Sequence, residues 1–97
     1  MIAQVSEPVV VPPMLYLPTR DKPDGTPIAE VRRLTDGRAA LLAYTALDRL
    51  SKHCGPKQQW IVIPTSRIGD VRELQPFDLV AFDVPLPATM LRDGRIA

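Results

Sequence analysis

The chain has 97 residues, of which 45% are hydrophobic and 24% charged, enough for one small globular domain with a single core. Its 12 Lys and Arg residues nearly balance its 11 Asp and Glu residues, so it lacks the excess positive charge typical of proteins that bind nucleic acids or anionic membranes. A single Cys excludes an internal disulfide framework, and the apolar runs are far shorter than the ~18 residues of a membrane span. We therefore expect a soluble cytoplasmic protein without a membrane partner. A nucleic-acid-linked regulator is a third class of function, and it would require the scattered arginines to form one basic face.

The first elements of the chain are an arm, a strand and a loop. Residues 1–13 are rich in valine and proline. Because proline cannot donate to a strand ladder, they predict a loosely held arm, with an edge strand or a partner-docking arm as the alternatives. Residues 14–19 predict a first strand that ends near Pro18. Residues 20–27 combine prolines, a glycine and charges and predict a surface loop.

The clearest local signal is a β-hairpin. Residues 27–34 have an imperfect period of two, and Asp36-Gly37 supplies residues that tolerate positive φ in a tight turn. Residues 39–44 follow and are apolar on both faces, as expected of a strand covered on both sides. We therefore expect residues 39–44 in the middle of the sheet, paired with the strand before them.

A helix is predicted over residues 46–54. Thr45 stands at the N-cap position, and Asp48 lies near the positive end of the helix dipole. The leucines and Cys54 share one side of the helical wheel, and the charged residues share the other. Gly55, followed by a proline, ends the helix.

The apolar run at residues 60–63 lacks a polar face and predicts a second buried strand. About fourteen residues, including the helix, separate it from residues 39–44, and a parallel pair requires a crossover of this length. We therefore predict a β-α-β unit with these two strands side by side. A second helix over residues 67–74 and a last strand over residues 78–84 follow.

Together these elements predict an α/β (α+β) fold. It contains a mixed sheet of about five strands, two short helices, one β-hairpin and one or two β-α-β crossovers. Residues 14–87 form its single domain, between the arm of residues 1–13 and a C-terminal tail of residues 88–97 that either makes a short turn or stays mobile.

Residues suited to catalysis or metal binding are scarce. His53 and Cys54 are adjacent on a helix and therefore point about 100° apart, so they share neither a metal site nor a catalytic pair. No glycine-rich phosphate motif is present, and the nearest carboxylate pairs lie in a loop or on opposite faces of a strand. We expect no catalytic residue, no metal and no cofactor.

Two surfaces remain as candidates for function. The first is an interaction surface for a protein partner or a homo-oligomer. It includes the last strand or the first strand as an exposed edge that pairs with the partner. Its candidate residues are Arg49, Lys52 and His53 on the helix and Leu79 and Phe82 on the last strand. The cations of the helix also have a plainer explanation, complementarity to the negative end of the helix dipole.

The second candidate surface is a crevice for a small ligand or a substrate. Open α/β sheets bind ligands at the carboxyl ends of their parallel strands. In the predicted β-α-β unit that position corresponds to Thr45, Asp48, Pro64 and Thr65. This crevice is the alternative to the interaction surface.

The order of elements resembles the N-terminal domain of SseB-family proteins, including small single-domain actinobacterial versions. The matching segments are LYLP, DGRAALLAYT, ALDRLSK, WIVIP and PLP, spread over residues 14–87. Longer family members often have Ser after the aromatic-Thr pair, where this chain has Ala46.

The resemblance implies an α/β domain of the bacterial cytoplasm, linked in some members to secretion systems or serine sensitivity. It implies no established active site, so no catalytic residue is carried over. Residues and resemblance together predict a non-enzymatic protein-interaction or adaptor domain.

Overall fold

The computed structural model describes residues 11–97 and shows a mixed α+β fold with eight strands in three small sheets and two helices. Short 3₁₀ turns lie at Thr65–Arg67 and Ala88–Met90. Most of the arm predicted for residues 1–13 lies outside the described residues. The elements are β1 Met14–Asp21, β2 Pro27–Ala29, β3 Val31–Arg33, β4 Ala39–Ala43, α1 Leu47–Cys54, β5 Trp60–Pro64, α2 Ile68–Leu74, β6 Leu79–Phe82, β7 Leu91–Arg92 and β8 Arg95–Ile96.

Two three-stranded sheets, ordered β2-β1-β5 and β3-β4-β6, meet along β1 and β4. Tyr16 of β1 and Tyr44 at the end of β4 exchange backbone hydrogen bonds of 2.9 and 2.8 Å. Between β2 and β3, Glu30 donates its N–H to Pro18 O and accepts from Leu42 N–H. The segment that contains β2 and β3 therefore pairs with one sheet before Glu30 and with the other sheet after it.

The predicted hairpin is confirmed. β3 and β4 are antiparallel with Val31 opposite Leu41. In the turn Leu34 N–H donates to Arg38 O, and Gly37 has a φ of 91°, which glycine adopts without strain. The prediction that residues 39–44 are an inner strand is also confirmed, because all of β4 is buried between β3 and β6.

The core lies on both faces of β4, in two clusters. One cluster contains Leu15, Leu17 and Leu41 and packs against α2 through Ile68 and Val71. The other is built around Tyr44, with the side chains Leu42, Leu50, Cys54 and Ile96. Because α1 and α2 cover opposite faces of the sheet region, the molecule has three layers.

The structure corrects the predicted neighbour of β4. Its parallel partner is β6, with Leu41 opposite Val80, whereas β5 pairs antiparallel with β1. The crossover is therefore longer than predicted and includes α1, β5 and α2. An apolar run and a crossover length are compatible with either arrangement, since neither identifies which strand lies next to which.

Three further expectations about the strands, two on exposure and one on where β1 ends, differ from the structure. β5 was expected to be buried, but Trp60, Ile61 and Val62 are 41%, 37% and 43% exposed. Of the two strands offered as an exposed edge, β6 is one, whereas β1 lies between β2 and β5. Pro18 does not end β1. It lies opposite Trp60 at a position whose backbone nitrogen faces away from β5, so the lack of an N–H removes no hydrogen bond from that ladder.

Helix α1 forms where predicted, but its N-cap differs. Ala46 occupies the N-cap position with an extended backbone and no side-chain cap, and Thr45 bonds elsewhere. The helix ends at Gly55, whose φ is 113°. A Cβ at Gly55 would lie 2.1 Å from Gly94 O, so only glycine fits against the β7–β8 hairpin.

Residues 88–97, predicted as a tail, pack onto the domain. β7 and β8 form a hairpin across the Asp93-Gly94 turn, and Ile96 is buried in the core cluster around Tyr44. In residues 11–97 no helix has the length and apolar character needed to cross a membrane.

Candidate interaction edges

Strand β6 has an open edge. Asp78 N–H donates to Ala39 O on the β4 side. Because successive backbone groups alternate along a strand, the N–H and C=O groups of Leu79 and Ala81 point away from β4. No strand in residues 11–97 pairs with that side of β6. The edge predicted from the sequence at the last strand is therefore present.

An apolar groove lies beside this edge, between β6 and α2. Its volume is about 400 Å³. One wall comes from α2 and the other from β6 and the residues before it; the lining residues are Ile68, Gly69, Arg72, Phe77, Asp78, Leu79, Val80 and Phe82. A Cβ added at Gly69 would meet nothing within 4 Å, so the groove is open along the helix.

The only cation that lines the groove is Arg72, on α2. Its guanidinium carbon lies 5.9 Å from the centre of the Phe77 ring, a cation–π contact. Within the described part of the chain no carboxylate forms an ion pair with Arg72. The groove therefore combines apolar walls with one cation, Arg72, and one carboxylate, Asp78, which accepts a bond from Ala39 N–H.

The carboxylates at the two ends of β6 are occupied by backbone and side-chain bonds. Asp78 Oδ2 accepts a 2.8 Å bond from Ala39 N–H. Asp83 accepts bonds from Thr45 N–H at 2.8 Å, Thr45 Oγ1–H at 2.7 Å and Arg49 Nη1–H at 2.8 Å. Burial alone would raise the pKa of Asp83, but these bonds and the Arg49 charge outweigh it and hold the pKa below its usual value. Asp83 is therefore a structural anion rather than a proton acceptor.

The five residues predicted as an interaction surface lie in two places. Arg49, Lys52 and His53 are on α1, where Arg49 pairs with Asp83 and the His53 ring centre lies 6.1 Å from that of Tyr44. Leu79 is buried and Phe82 half-buried, and both line the groove beside α2. Since α1 and α2 cover opposite faces, the structure does not join these residues into one surface.

The four residues predicted to line a crevice are separated by β1. Thr45 and Asp48 lie at the start of α1, and Thr45 is bonded to Asp83. Pro64 pairs with Met14 at the far side of β1, and Thr65 N–H donates to Pro13 O. The crevice was placed on the assumption that β4 and β5 are parallel neighbours, which the structure contradicts. None of the four residues lines the cavities of about 280, 160 and 400 Å³.

Glu30 is a buried charge that the sequence reasoning missed. Its carboxylate oxygens form ion pairs with Arg20 Nε at 2.7 Å and Arg32 Nη2 at 3.2 Å. It borders a polar cavity of about 280 Å³ together with Gln58, whose Oε1 accepts from Ile96 N–H at 2.8 Å. The one signal in the sequence was its position between two arginine-bearing segments. Both carboxylate oxygens of Glu30 are paired with arginines, so this cluster joins β1 and β3.

The cysteine and the metal-binding residue types offer no reactive site. Cys54 is fully buried, and burial raises the pKa of its thiol, which opposes the reactive thiolate form. The Tyr44 hydroxyl donates a 2.7 Å hydrogen bond to Val84 O, and burial raises the pKa of this hydroxyl as well. Across residues 11–97, His, Cys, Asp and Glu form no group that could hold a metal ion.

A second open edge belongs to β5. Thr65 N–H donates to Pro13 O, and Gln59 O accepts from Thr19 N–H of β1, so the backbone groups of Thr65 and Gln59 face β1. Because backbone groups alternate along a strand, those of Trp60 and Val62 point away from β1. No strand in the described residues pairs on that side. The sequence reasoning missed this edge because the run looked like a buried strand.

No family model, curated protein or solved structure matches this chain. Function has to be inferred from the two open edges and their chemistry.

Proposed function

We propose that this chain is a non-enzymatic protein-interaction domain that binds an extended segment of a partner protein at the edge of β6. The observation that carries the proposal is the unpaired backbone of β6 lying directly beside an apolar groove of about 400 Å³. Domains that bind by strand addition use this combination: the backbone supplies affinity, and a neighbouring pocket selects side chains.

The geometry defines how the partner segment would lie. Its backbone would pair with the N–H and C=O groups of Leu79 and Ala81. Because strand side chains alternate, every second residue of the segment would point into the groove against Ile68 and Phe82. The partner is therefore an extended peptide with apolar residues at alternate positions.

Arg72 adds a preference for charge. It lines the groove and has no ion-pair partner within residues 11–97. An Asp or Glu in the partner segment would pair with it, a contribution of about 0.2–1 kcal/mol at a partly exposed site. Asp78, the carboxylate that also lines the groove, is already bonded to Ala39 N–H. The segment we propose is therefore apolar with at least one acidic residue, placed at Arg72.

The resemblance to the SseB N-terminal domain supports the same class of function. It extends the proposal to an adaptor of the bacterial cytoplasm that is linked to secretion or regulation. The lone buried Cys54 is compatible with a reducing compartment.

Gly69 provides the test, because it borders the groove and has room for a side chain. Gly69→Phe should fill the groove and prevent binding, whereas Gly69→Ala should leave binding intact and stabilise α2 by about 1 kcal/mol. We would select binders to the wild-type domain from a displayed library of random peptides and measure their affinity for each variant. Peptides with alternating apolar residues and an acidic residue are expected, with loss of binding only in Gly69→Phe.

A library without enriched peptides, or peptides that bind Gly69→Phe as tightly as wild type, would contradict the proposal. Amide exchange on the peptide complex adds a second readout. Leu79 and Ala81 amides should become protected, because strand addition uses their N–H groups. Arg72→Glu should weaken acidic peptides and favour basic ones, which separates the charge preference from the apolar contacts.

A further inference from the structure

The exposed large apolar side chains are concentrated at β5. Of the eight in the described residues, Trp60, Ile61 and Val62 belong to β5, and Met14 pairs directly with its last residue. Leu47 joins them from α1, since it lines a shallow cavity of about 160 Å³ together with Trp60. Apolar side chains clustered along one strand in this way mark interaction sites, whereas single exposed apolar residues do not.

β5 also lacks the features that normally protect an edge strand. Native edges carry charged residues, proline or bulges that prevent pairing with another chain. Residues 58–66 contain no charged side chain, and the only proline among them, Pro64, is the last residue of the strand. The backbone of Trp60 and Val62 is therefore free to pair with a further strand.

Two copies of β5 can pair their free backbone N–H and C=O groups in an antiparallel register centred on Ile61. In that register Trp60 of one copy lies opposite Val62 of the other, and both residues direct their backbone groups to the shared edge. Each such pair of residues exchanges two backbone hydrogen bonds. The two-fold axis generates a second, identical pair. Trp60 and Val62 also form an aromatic and β-branched cross-strand pair, which is favourable on a sheet. Pro64, which has no N–H, falls outside both pairs.

Charge favours a second copy at β5 more than at β6. The formal net charge is +1, so two copies repel each other little. In the register centred on Ile61 the nearest charges, Lys57 and Arg67, lie opposite uncharged residues. Antiparallel copies of β6 would instead bring the Asp78 end of one strand to the Asp83 end of the other.

We infer that β5 forms a homodimer interface, in which the strands of two copies pair antiparallel about Ile61 and extend the β2-β1-β5 sheet across a two-fold axis. The occupant of this edge is a second copy of the chain. The inference is independent of the peptide site at β6, so either can fail alone.

The first test is the mass of the particle in solution, measured by light scattering over a range of concentrations. Wild type should show twice the chain mass of 10.7 kDa. Val62→Lys should be monomeric, because it places a charge at the centre of the shared edge. Leu74→Lys is the matched control: Leu74 is an apolar residue 84% exposed on α2, away from β5, so this variant should stay dimeric. A monomeric wild type, or a dimeric Val62→Lys, would overturn the inference.

The second test checks the register and does not depend on how well Val62→Lys folds. Residues opposite each other in a non-hydrogen-bonded antiparallel pair have Cα atoms about 4.5 Å apart, within the range of a disulfide. Ile61→Cys should therefore form a covalent dimer when oxidised with diamide. Cys54 is buried and gives a low background. Leu74→Cys, exposed but distant, should cross-link much more slowly; equal rates for the two variants would rule out this register.

Discussion

Asp83 joins the end of β6 to the start of α1 through one carboxylate. It has a φ of 55°, a backbone conformation that Asp and Asn tolerate better than most residues. Its three bonds to Thr45 and Arg49 hold the start of the helix, which has no side-chain N-cap of its own. This carboxylate therefore replaces the cap expected from Thr45.

The linkage between folding and pH follows from the lowered pKa of Asp83. A carboxyl group with a folded pKa below its unfolded value stabilises the fold above the unfolded value, and this stabilisation is lost as pH falls through the folded pKa. The free energy of unfolding should therefore decrease as pH falls below the ordinary value of 3.8.

Asp83→Asn should lower the free energy of unfolding at neutral pH by about 1–2 kcal/mol and reduce its decrease in acid. Asn tolerates the same positive φ, so the effect reports on the charge. Urea unfolding at several pH values measures both quantities. Asp70→Asn, which removes an exposed partner of Arg67, is the control and should change little. Equal acid dependence in wild type and Asp83→Asn would show that Asp83 is not responsible.

At the scale of single residues, the sequence predicted where an element begins better than it predicted the hydrogen-bond partners of side chains. The position of Thr45 before a helix correctly located the start of α1 within a residue. Its actual partner, Asp83, is 38 positions away in the chain, and no local pattern identifies it. The ion pair between the exposed Arg20 and the buried Glu30 was missed for the same reason.

At the scale of elements, the end of α1 depends on close backbone contact with the β7–β8 hairpin. Gly55 combines a φ of 113° with a position where a Cβ would collide with Gly94. Lys57 N–H donates to Gly94 O at 2.8 Å, which fixes the two segments together. The glycine that the sequence indicated as a helix stop is also a packing requirement.

Gly55→Ala should lower the free energy of unfolding by about 2–4 kcal/mol, because it adds backbone strain and a collision. Gly37→Ala is the matched control: Gly37 also has a positive φ, but a Cβ there would meet nothing within 4 Å. It should cost about 1 kcal/mol from strain alone. Denaturant unfolding of both variants separates strain from collision, and equal losses would argue against the collision.

Elements specified by neighbouring residues were predicted well. The hairpin depends on the Asp36-Gly37 turn, and α1 on its apolar spacing and the glycine after it. The pairing of β5 was not predictable in the same way, because an apolar strand carries no information about its neighbour. The apolar run at residues 60–63 was predicted to lie in the core, but it forms an exposed edge strand.

At the scale of the whole molecule, Gln58 ties the C-terminal hairpin to the first sheet. Its Nε2–H donates to Thr19 O at 2.8 Å, and its Oε1 accepts from Ile96 N–H at 2.8 Å. Both bonds are buried and span segments 38 or more positions apart. Side-chain bonds of this kind hold together regions that share no strand ladder.

Gln58→Ala should lower the free energy of unfolding by about 1–3 kcal/mol, because the buried N–H of Ile96 loses its partner. The neighbouring Gln59 has the same side chain but is exposed, and its bonds to Thr19 Oγ1 and Asp21 are part-buried and exposed, respectively. Gln59→Ala should therefore stay within about 0.5 kcal/mol of wild type. Thermal and urea unfolding of the pair measure the difference; similar losses would mean that burial of Gln58 is not what matters.

The strand order places β5 and β6 at opposite margins of the joined sheets. A dimer closed through β5 would therefore keep both β6 grooves free, one at each outer end of an extended sheet. Such a particle is bivalent. A partner that carries two matching segments in tandem, on a linker long enough to reach both ends, would gain avidity that a single copy of the chain cannot provide.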